Sequence, residues 1–587
     1  MKYFHLPFLV LVFLLTGMLY AQPTFQWGVA AGSTQRDEVT DLVLTPSNEV
    51  LVTGVFEDSI DLEDGPGESF IKGRGFKDIF LAKYDAQGAY KWGFSLGNVG
   101  WDRGWSLATD PQGAAYIGGV FTRRVDFDPG PDSTVLQSNS AGFWPDGYLA
   151  KYDTDGELVW AKHLLTARDR SASQSATLLS IRSIEIDVNG DLIVGGAYWD
   201  SVWFAPNVLE VSQTALRDMF LAKYDGENGD LIWVKTFGAA ADQEIRGVYP
   251  DAQGNIYTTG YFFGSPDFDP GVGTTTFTSA GGGDIFLAKY NSNGELLWAH
   301  GFGSADNVLV RPEGGNDLGV DAAGNAYITG VFYGSIDFDP GPGTMMLAPD
   351  QASVDHFTAK YTPNGELEWV FSLRRASYEV GKSISVQDDG SFFLGGDFSS
   401  TSLGMDLDPD PIDSAMVFSL SGTRDIFFAK YTTDMDFLYG QSFRGLEEDE
   451  LLAIDGNGDE LAAGGLFFRT ILFDPTMGDL RFSKGNADIF FFRMGSGTIS
   501  ILESLDGNAI GIFPNPATEW IGIQWPEPGP RSGILNISTL HGKSVYTERL
   551  SGTLSEKIIP VAHLPAGMYV LEYREAKVRY SHKVVIQ

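Results

Sequence analysis

Pairs of aspartates recur in one kind of loop along this chain, and most of the pairs precede a Pro-Gly turn. The pairs are Asp126 and Asp128, Asp267 and Asp269, Asp337 and Asp339, and Asp406 and Asp408. Alternation along an extended chain places both carboxylates of a pair on one side and the residue between them on the other. Carboxylates with this spacing, together with turn carbonyls and water, are ligands that Ca²⁺ accepts.

The same loops have a structural interpretation as well. The residue between the two aspartates, for example Phe127, would fill a gap between structural units, while Asp caps the turn through hydrogen bonds to its own backbone. Because the loop recurs in nearly every unit, the sequence favours this structural interpretation, and Ca²⁺ remains the candidate cofactor.

Catalytic signatures are sparse. The chain contains no cysteine, which excludes disulfides, thiolate metal sites and cysteine nucleophiles. The histidines show no metal-ligand spacing, and the G-x-S-x-G match at residues 93–97 lies in a predicted strand, not in a strand-to-helix turn. The sequence therefore predicts a protein that is not an enzyme. The abundant carboxylates leave one alternative open, a polysaccharide hydrolase or lyase that uses acidic loop residues.

The charge of the chain limits its partners. Asp and Glu number 77 against 40 Lys and Arg, so the net charge is −37. A field of this sign repels nucleic acid and anionic membrane surfaces, and we expect neither as a partner. The hydrophobic content of 43% is typical of a globular chain and not of a disordered one.

The acidic loops belong to a repeat that covers most of the sequence. Residues 284–298 read DIFLAKYNSNGELLW, and similar segments begin at Asp78, Asp146, Asp218, Asp355, Asp425 and Asp488. The seven starting positions are separated by 68, 72, 66, 71, 70 and 63 residues. A nearly constant period with turn signals in each unit indicates an array of equivalent structural units.

Each unit contains four strand-like runs, which in the first unit are residues 38–45, 49–56, 78–84 and 90–96. The third run is apolar on both alternating faces and must be covered on both. Stacked blades of a β-propeller supply that environment, whereas an open one-sided sheet does not.

The two ends of the array complement each other. Residues 24–31 match a fourth strand without its first three, and the last unit has no fourth strand. We therefore predict an all-β, seven-bladed β-propeller over residues 22–494, with four-stranded blades and the N-terminal strand closing the last blade. A linear solenoid is the alternative, but it would need polar capping repeats.

One face of this propeller is the candidate ligand face. In a four-stranded meander the loops between the second and third strands share a face with the blade-to-blade connections. The loop residues on that face that differ between blades are Trp101, Arg103, Trp144, Trp203 and Arg311. A repeated lysine lies near the opposite face, and we expect it to pair with nearby acids: Lys83, Lys151, Lys223, Lys289, Lys360 and Lys430.

The repeat resembles the bacterial SBBP, or beta-propeller repeat, family. The resemblance rests on D-x-x-G-N-x-Y-x-T-G at residues 251–260 and 321–330 and on DIFLAKY at residues 284–290, and it covers residues 24–494. It implies a propeller and carries almost no functional information.

The first residues are predicted to be a secretory signal peptide, residues 1–21. Lys2 gives a positive start, residues 8–15 are apolar, and Ala21 offers a small residue before the cleavage point. The alternative is an N-terminal membrane anchor, but the apolar run is too short to span a bilayer comfortably.

A different pattern follows a linker at residues 495–510. Short runs broken by Gly and Pro over residues 511–587 predict a small Ig-like β-sandwich. This segment resembles the type A C-terminal sorting domain of the type IX secretion system; an adhesive sandwich module is the alternative. The matching residues are Pro514, Asn515, Pro516, Gly542, Lys543, Pro565, Gly567, Tyr569 and Lys583.

The resemblance implies contact with the type IX machinery, passage through the outer membrane, and release or attachment to surface lipopolysaccharide. The sequence thus predicts a secreted or cell-surface propeller that binds a glycan or a protein. The alternatives are the polysaccharide-active enzyme described above and a scaffold that only spaces other surface components.

Overall fold

The structure is a computed structural model. It describes residues 24–63, 69–138, 145–166, 179–212, 216–238, 241–305, 313–349, 354–400, 404–419, 423–445, 447–474, 479–495, 511–513, 520–531, 533–539, 544–550, 552–561, 564–565, 567–575 and 578–586. Every regular element in these ranges is a β-strand. Over the same ranges, no helix has the length and apolar character that crossing a membrane requires. The predicted signal peptide lies outside the described residues.

The first half of the repeat array supplies strands β1 to β23. They are β1 (Thr24–Ala31), β2 (Glu38–Leu44), β3 (Val50–Phe56), β4 (Ser59–Asp61), β5 (Phe70–Lys72), β6 (Asp78–Tyr84), β7 (Tyr90–Leu96), β8 (Arg103–Thr109), β9 (Ala115–Phe121), β10 (Arg124–Asp126), β11 (Val135–Gln137), β12 (Asp146–Tyr152), β13 (Leu158–Thr166), β14 (Leu179–Ile186), β15 (Leu192–Trp199), β16 (Ser201–Ala205), β17 (Val208–Val211), β18 (Arg217–Tyr224), β19 (Leu231–Phe237), β20 (Gln243–Pro250), β21 (Ile256–Phe262), β22 (Asp284–Tyr290) and β23 (Leu296–Phe302).

The second half continues the pattern to Gly495. Its strands are β24 (Gly314–Val320), β25 (Ala326–Phe332), β26 (Ile336–Asp337), β27 (Met346–Leu347), β28 (Asp355–Tyr361), β29 (Leu367–Phe371), β30 (Tyr378–Val386), β31 (Phe392–Ser399), β32 (Met405–Asp406), β33 (Met416–Val417), β34 (Asp425–Tyr431), β35 (Phe437–Gly445), β36 (Glu450–Asn457), β37 (Glu460–Phe467), β38 (Thr470–Asp474), β39 (Asp479–Phe482) and β40 (Asp488–Gly495).

These strands form seven antiparallel four-stranded blades, as the repeat predicts. Blades 1 to 7 have the strand orders β2-β3-β6-β7, β8-β9-β12-β13, β14-β15-β18-β19, β20-β21-β22-β23, β24-β25-β28-β29, β30-β31-β34-β35 and β36-β37-β40-β1. The first strands of successive blades contact one another, and the first strand of blade 7, β36, contacts β2 of blade 1. The first strands therefore line a closed central channel.

The N-terminal strand closes the ring, which confirms the sequence prediction. β1 pairs antiparallel with β40 from Thr24 opposite Gly495 to Ala31 opposite Ile489. Blade 7 is thus built from both ends of the array and has four strands, as the other six blades do.

The third strand of each blade is buried on both faces, because neighbouring blades pack against it. All seven residues of β6 are buried, and its Phe80 shares one apolar cluster with Ile489 and Phe491 of blade 7. This explains why a strand such as DIFLAKY has no polar face.

Short hairpins occupy the loops between second and third strands. They pair β4 with β5, β10 with β11, β16 with β17, β26 with β27, β32 with β33 and β38 with β39. Two of them extend the preceding blade, since β16 pairs with β13 and β38 with β35.

The C-terminal strands form a separate unit. The chain divides into Met1–Ser496 and Gly497–Gln587. The second unit contains β41 (Gly511–Phe513), β42 (Trp520–Arg531), β43 (Ile534–Thr539), β44 (Ser544–Arg549), β45 (Gly552–Pro560), β46 (Gly567–Glu575) and β47 (Val578–Ile586). They make two antiparallel sheets, β41-β42-β45 and β44-β43-β46-β47, and side chains from both sheets form one buried apolar cluster.

Candidate binding site in the central channel

The acidic loop pairs cap their own turns. Asp267 Oδ1 accepts the backbone N–H groups of Asp269 at 3.1 Å and Thr275 at 2.8 Å, and Asp269 Oδ1 accepts that of Gly271 at 2.7 Å. The residue between them, Phe268, is fully buried. The pairs at Asp126 and Asp128, Asp337 and Asp339, and Asp406 and Asp408 are bonded in the same way.

A hydrogen bond that recurs from blade to blade holds the buried loop residue in its own blade. The hydroxyl of Tyr290, at the end of the third strand, donates to the carbonyl of Phe268 at 3.1 Å. Equivalent bonds join Tyr152 to Phe127, Tyr361 to Phe338 and Tyr431 to Leu407. Over the described residues, no group of three or more acidic or histidine side chains is arranged to hold a metal ion. Calcium binding at these loops therefore stays a prediction.

The repeated lysines pair with acids, as expected from the sequence. Lys223 Nζ lies 2.7 Å from Asp187 Oδ2 and 2.9 Å from Asp191 Oδ2, and Lys289 Nζ lies 3.2 Å from Asp251 Oδ2. These acids belong to the turns between first and second strands, on the face opposite the acidic loops.

The structure does not bring the candidate ligand-face residues together at one point. Arg103 begins the inner strand β8, whereas Trp203 lies in β16, which pairs with the outer strand β13 of the same sheet. Four strand spacings separate them, on the order of 19 Å. Trp101 precedes β8 and is half-buried. Trp144 and Arg311 lie outside the described residues.

A different set of side chains does converge, and it lies in the channel. Each inner strand has a β-bulge at the same position, and a bulge re-aims the side chain of the extra residue. The bulged residues are Thr40, Trp105, Arg182, Arg246, Asn316, Lys382 and Leu452. All seven line a cavity of about 320 Å³.

Basic side chains dominate the part of the channel nearest the blade-to-blade connections. The buried carboxylate of Glu244 lies 2.8 Å from Arg182, 3.7 Å from Arg217 and 3.7 Å from Arg246. Burial alone would raise the pKa of Glu244, but the three guanidinium groups outweigh it and lower the pKa to about 2.

A second carboxylate, Glu38, is shared in the same way. It pairs with Arg103 at 2.7 Å, Arg36 at 3.1 Å and Lys77 at 3.6 Å. The guanidinium carbon of Arg103 also lies 3.9 Å from the ring centroid of Trp105, and that of Arg182 lies 4.3 Å from it. A ring face has room for one guanidinium at this distance, so the two cations take opposite faces of the indole.

Carboxylates occupy the other part of the channel, towards the turns between first and second strands. Burial raises the pKa of Asp41 to about 7 and that of Asp317 to about 6, and it raises the pKa of Glu185 well above its usual range. Asp41 Oδ2 accepts the N–H of Leu107 at 2.7 Å, and Asp317 Oδ2 accepts that of Ile384 at 2.9 Å. These two acids therefore cap backbone groups on the inner edge of the next blade.

The bulged residues carry a sequence signal that loop composition does not reveal. Each lies five positions before the first residue of the turn between first and second strands, as Trp105, Arg182 and Arg246 do before Asp110, Asp187 and Asp251. Their identities differ in every blade except for the two arginines. A position that varies inside a repeated strand is the feature that would have indicated them.

Comparison with known proteins assigns the C-terminal unit. Residues 511–587 match the family model described as a secretion system C-terminal sorting domain. This match implies secretion by the type IX route, to the cell surface or the medium. Of the matching motif residues, Gly567 and Tyr569 lie in β46 and Lys583 in β47, and Tyr569 donates to the carbonyl of Pro565 at 2.9 Å. Pro514, Asn515, Pro516, Gly542 and Lys543 lie outside the described residues.

This chain is similar to parts of two longer proteins. The uncharacterized WD repeat-containing protein L264 of Acanthamoeba polyphaga mimivirus is 23% identical over 335 residues, which are 49% of this chain and 24% of that protein. The regulatory protein FlaEY of Caulobacter vibrioides is 24% identical over 339 residues, which are 54% of this chain and 31% of that protein. The chain thus spans less than a third of the length of each of these relatives.

Among solved structures, a Bacteroides thetaiotaomicron protein of unknown function aligns over 81% of this chain and 98% of its own, at 11% identity and a TM-score of 0.24. Dimeric latent PorU from Porphyromonas gingivalis aligns over 52% of this chain and 31% of its own, at 10% identity and a TM-score of 0.11. The resemblance of the repeats to SBBP proteins stays a prediction.

Proposed function

We propose that this protein is a non-enzymatic binding module, a seven-bladed propeller delivered by the type IX route, which binds a glycan or a protein outside the cell. The observation that carries the proposal is the convergence of seven side chains, different in most blades, on one cavity inside a closed ring. A repeated scaffold with one varied position per blade is suited to recognition, because the invariant residues supply the stability and the varied ones the specificity.

The sorting domain supports a site of action outside the cell. The proposed Ig-like arrangement of its two sheets is compatible with a compact C-terminal tail that either stays attached after secretion or is removed. We propose release or surface attachment as the end of this route. A ring that has left the cell meets glycans and proteins of the surface and the medium, which are the partners named above.

The alternative is a polysaccharide hydrolase or lyase with acids on the loop face. A carboxylate that caps its own turn has a structural role that explains its recurrence without catalysis. In the loop pairs, one oxygen of each aspartate is bonded to backbone N–H groups of its own turn, as in Asp267 and Asp269. This favours a structural role for these acids and supports the binding module over the enzyme.

The test uses the full chain, purified after secretion. Binding is measured on an array of neutral and acidic glycans and by pull-down from the surface fraction of the native bacterium. We expect saturable binding to a defined glycan or to one surface protein. Absence of any ligand in both assays would overturn the proposal. Turnover of a polysaccharide that is lost in Asp269→Asn but retained in Asp58→Asn, an exposed control, would establish the enzyme instead.

A further inference from the structure

We propose that the basic part of the central channel binds an oxyanion, a carboxylate, sulfate or phosphate group of the ligand. The inference rests on the proposed binding function and names the chemistry that its ligand must present. The residues that would contact the group are Trp105, Arg182, Arg246 and Lys382, which bulge from four blades into one cavity.

The local charge favours an anion although the whole chain is strongly acidic. Near the blade-to-blade connections of blades 1 to 4, six cations form ion pairs with three carboxylates, Glu38, Glu244 and Asp242, and two of the six, Arg182 and Arg246, line the cavity. The chain as a whole carries −37, so a surplus of positive charge at one point is unusual for it. The other part of the same cavity is lined by four carboxyl groups, and burial raises the pKa of each and so lowers the fraction that is ionised: Asp41, Glu185, Asp317 and Asp455.

Buried donors without acceptors point to the same chemistry. Arg103 Nε, Trp105 Nε1 and Arg217 Nε are buried and have no hydrogen-bond partner among the described residues. Leaving a buried donor unpaired is costly, so such groups call for an explanation. Of the three side chains, Trp105 lines the cavity, and its indole N–H can donate but not accept a hydrogen bond, so an anionic acceptor in the cavity would complement it.

The cations are held in place before any ligand arrives. Arg246 donates to Asn316 Oδ1 at 2.8 Å and lies 4.6 Å from the ring centroid of Tyr261, while Arg182 Nε donates to Glu244 at 2.8 Å. Lys382 Nζ lies 3.4 Å from Asp397 Oδ2. Side chains fixed in this way lose little conformational entropy on binding, which favours affinity for a small ion.

The same geometry argues against recognition through stacking. Both faces of Trp105 are covered by guanidinium groups, so the indole is not free to stack on a sugar ring. A cavity of about 320 Å³ lies at the lower end of the range for small-molecule sites, and it suits one acidic sugar residue or a small organic acid.

Calorimetric titration of the full chain at low ionic strength tests the proposal, with sodium sulfate, galacturonate and galactose as probes. We expect saturable binding of sulfate and galacturonate, weakened by added NaCl, and no binding of galactose. Arg182→Gln and Lys382→Gln should each weaken galacturonate binding at least about tenfold. Lys162→Gln is the matched control, because it removes the same charge from an ion pair on the outer strand β13 and should leave the affinity unchanged.

The source of the oxyanion is distinguished by adding an acidic oligosaccharide, oligogalacturonate. Much tighter binding than galacturonate indicates the end of a glycan, and equal affinity indicates a small free acid. Failure of the wild-type chain to bind either anion overturns the proposal without any variant. Retained affinity in both folded channel variants overturns it as well. Surface binding that persists without anion binding would leave the proposed function standing and only this inference rejected.

Discussion

The indole Nε1 of Trp27, close to the start of the propeller, donates a 3.2 Å hydrogen bond to the carbonyl oxygen of Ala86 in blade 1. Trp27 lies in the outer strand of blade 7, so this bond spans the junction that closes the ring. An equivalent bond from a tryptophan Nε1 to a backbone carbonyl oxygen joins five other pairs of neighbouring blades: Trp92 to Thr154, Trp160 to Gly226, Trp233 to Ser292, Trp298 to Pro363 and Trp369 to Thr433. The junction is therefore held by the contact that holds the interior interfaces.

Trp27→Phe should destabilise the ring about as much as the same change at an interior interface. The substitution keeps an aromatic ring near Tyr84 and Phe491 and removes the donor to Ala86. We expect each of Trp27→Phe and Trp233→Phe to lower the free energy of unfolding by about 1 kcal/mol. Urea denaturation of the full chain, followed by fluorescence, measures both. If Trp233→Phe lowered the free energy of unfolding and Trp27→Phe did not, the closing interface would not be stabilised by this bond as the interior interfaces are.

Two tyrosine hydroxyls allow a matched comparison. Tyr361 donates to Phe338 at 2.9 Å, whereas the buried Oη of Tyr439, which replaces the interface tryptophan in blade 6, has no partner among the described residues. Tyr361→Phe should cost about 1 kcal/mol, while Tyr439→Phe should be neutral or stabilising, since it removes an unsatisfied polar atom. Thermal unfolding of the two variants measures this difference, and an equal loss of stability in both would contradict it.

The sequence predicts the ring well because its repeated residues have structural roles in most blades. Asp284, Tyr290 and Trp298 recur at one spacing, and each makes a contact within its blade or with the next one. The complementary ends then fix the number of blades. Strand β45 (Gly552–Pro560) of the C-terminal unit was not predicted, because the polar residues 555–557 interrupt its apolar pattern.

The channel site could not be predicted from loop composition, for two physical reasons. The bulged residues, among them Trp105, Asn316 and Leu452, share a backbone geometry and not a residue type, so no motif marks them. The loop residues Arg103 and Trp203 do share a predicted face, but a face does not specify radial distance, and they lie at different distances from the channel.

The stability of the propeller should fall as the pH rises from 5 to 8. Burial raises the pKa of Asp102 to about 7 and that of Asp78 to about 6, from 3.8. Each carboxyl thus binds its proton more tightly in the folded chain, and its contribution is complete below about pH 4 and is lost as the pH passes through 6 to 7. The pKa of Glu244 is lowered to about 2, so its contribution to the free energy of unfolding has the opposite pH dependence and is lost only in strong acid.

We expect the free energy of unfolding to be at least about 2 kcal/mol lower at pH 8 than at pH 5, since one pKa unit corresponds to about 1.4 kcal/mol. Denaturant titrations across this range give the profile. Glu185→Gln is the companion variant, because burial raises the pKa of Glu185 well above its usual range. It should match the parent chain at pH 5 and exceed it at pH 8. A flat or rising profile would refute this account.

Removal of calcium should leave the melting temperature of the full chain unchanged. The turn-capping interpretation assigns the loop carboxylates to backbone N–H groups, and Asp267 accepts two of them. Asp267→Ala should therefore lower the free energy of unfolding by about 1 to 2 kcal/mol, equally with and without chelator. Calorimetric titration with Ca²⁺ provides the direct measurement. Saturable binding, with a rise in melting temperature that Asp267→Ala abolishes, would make the loops metal sites.

Deletion of residues 511–587 should retain the propeller in the periplasm. These residues match the sorting domain and belong to a unit whose buried apolar cluster is its own, so the ring Met1–Ser496 can fold without them. In a bacterium that has the type IX system, we expect the truncated chain in the periplasm and the full chain at the surface or in the medium. Protease accessibility on intact cells, with immunoblotting of each fraction, measures this. Trp27→Phe in the full chain is the control, because it weakens the ring and leaves the sorting domain intact, and it should still be exported. Equal export of the truncated chain would mean that the C-terminal unit does not direct secretion here.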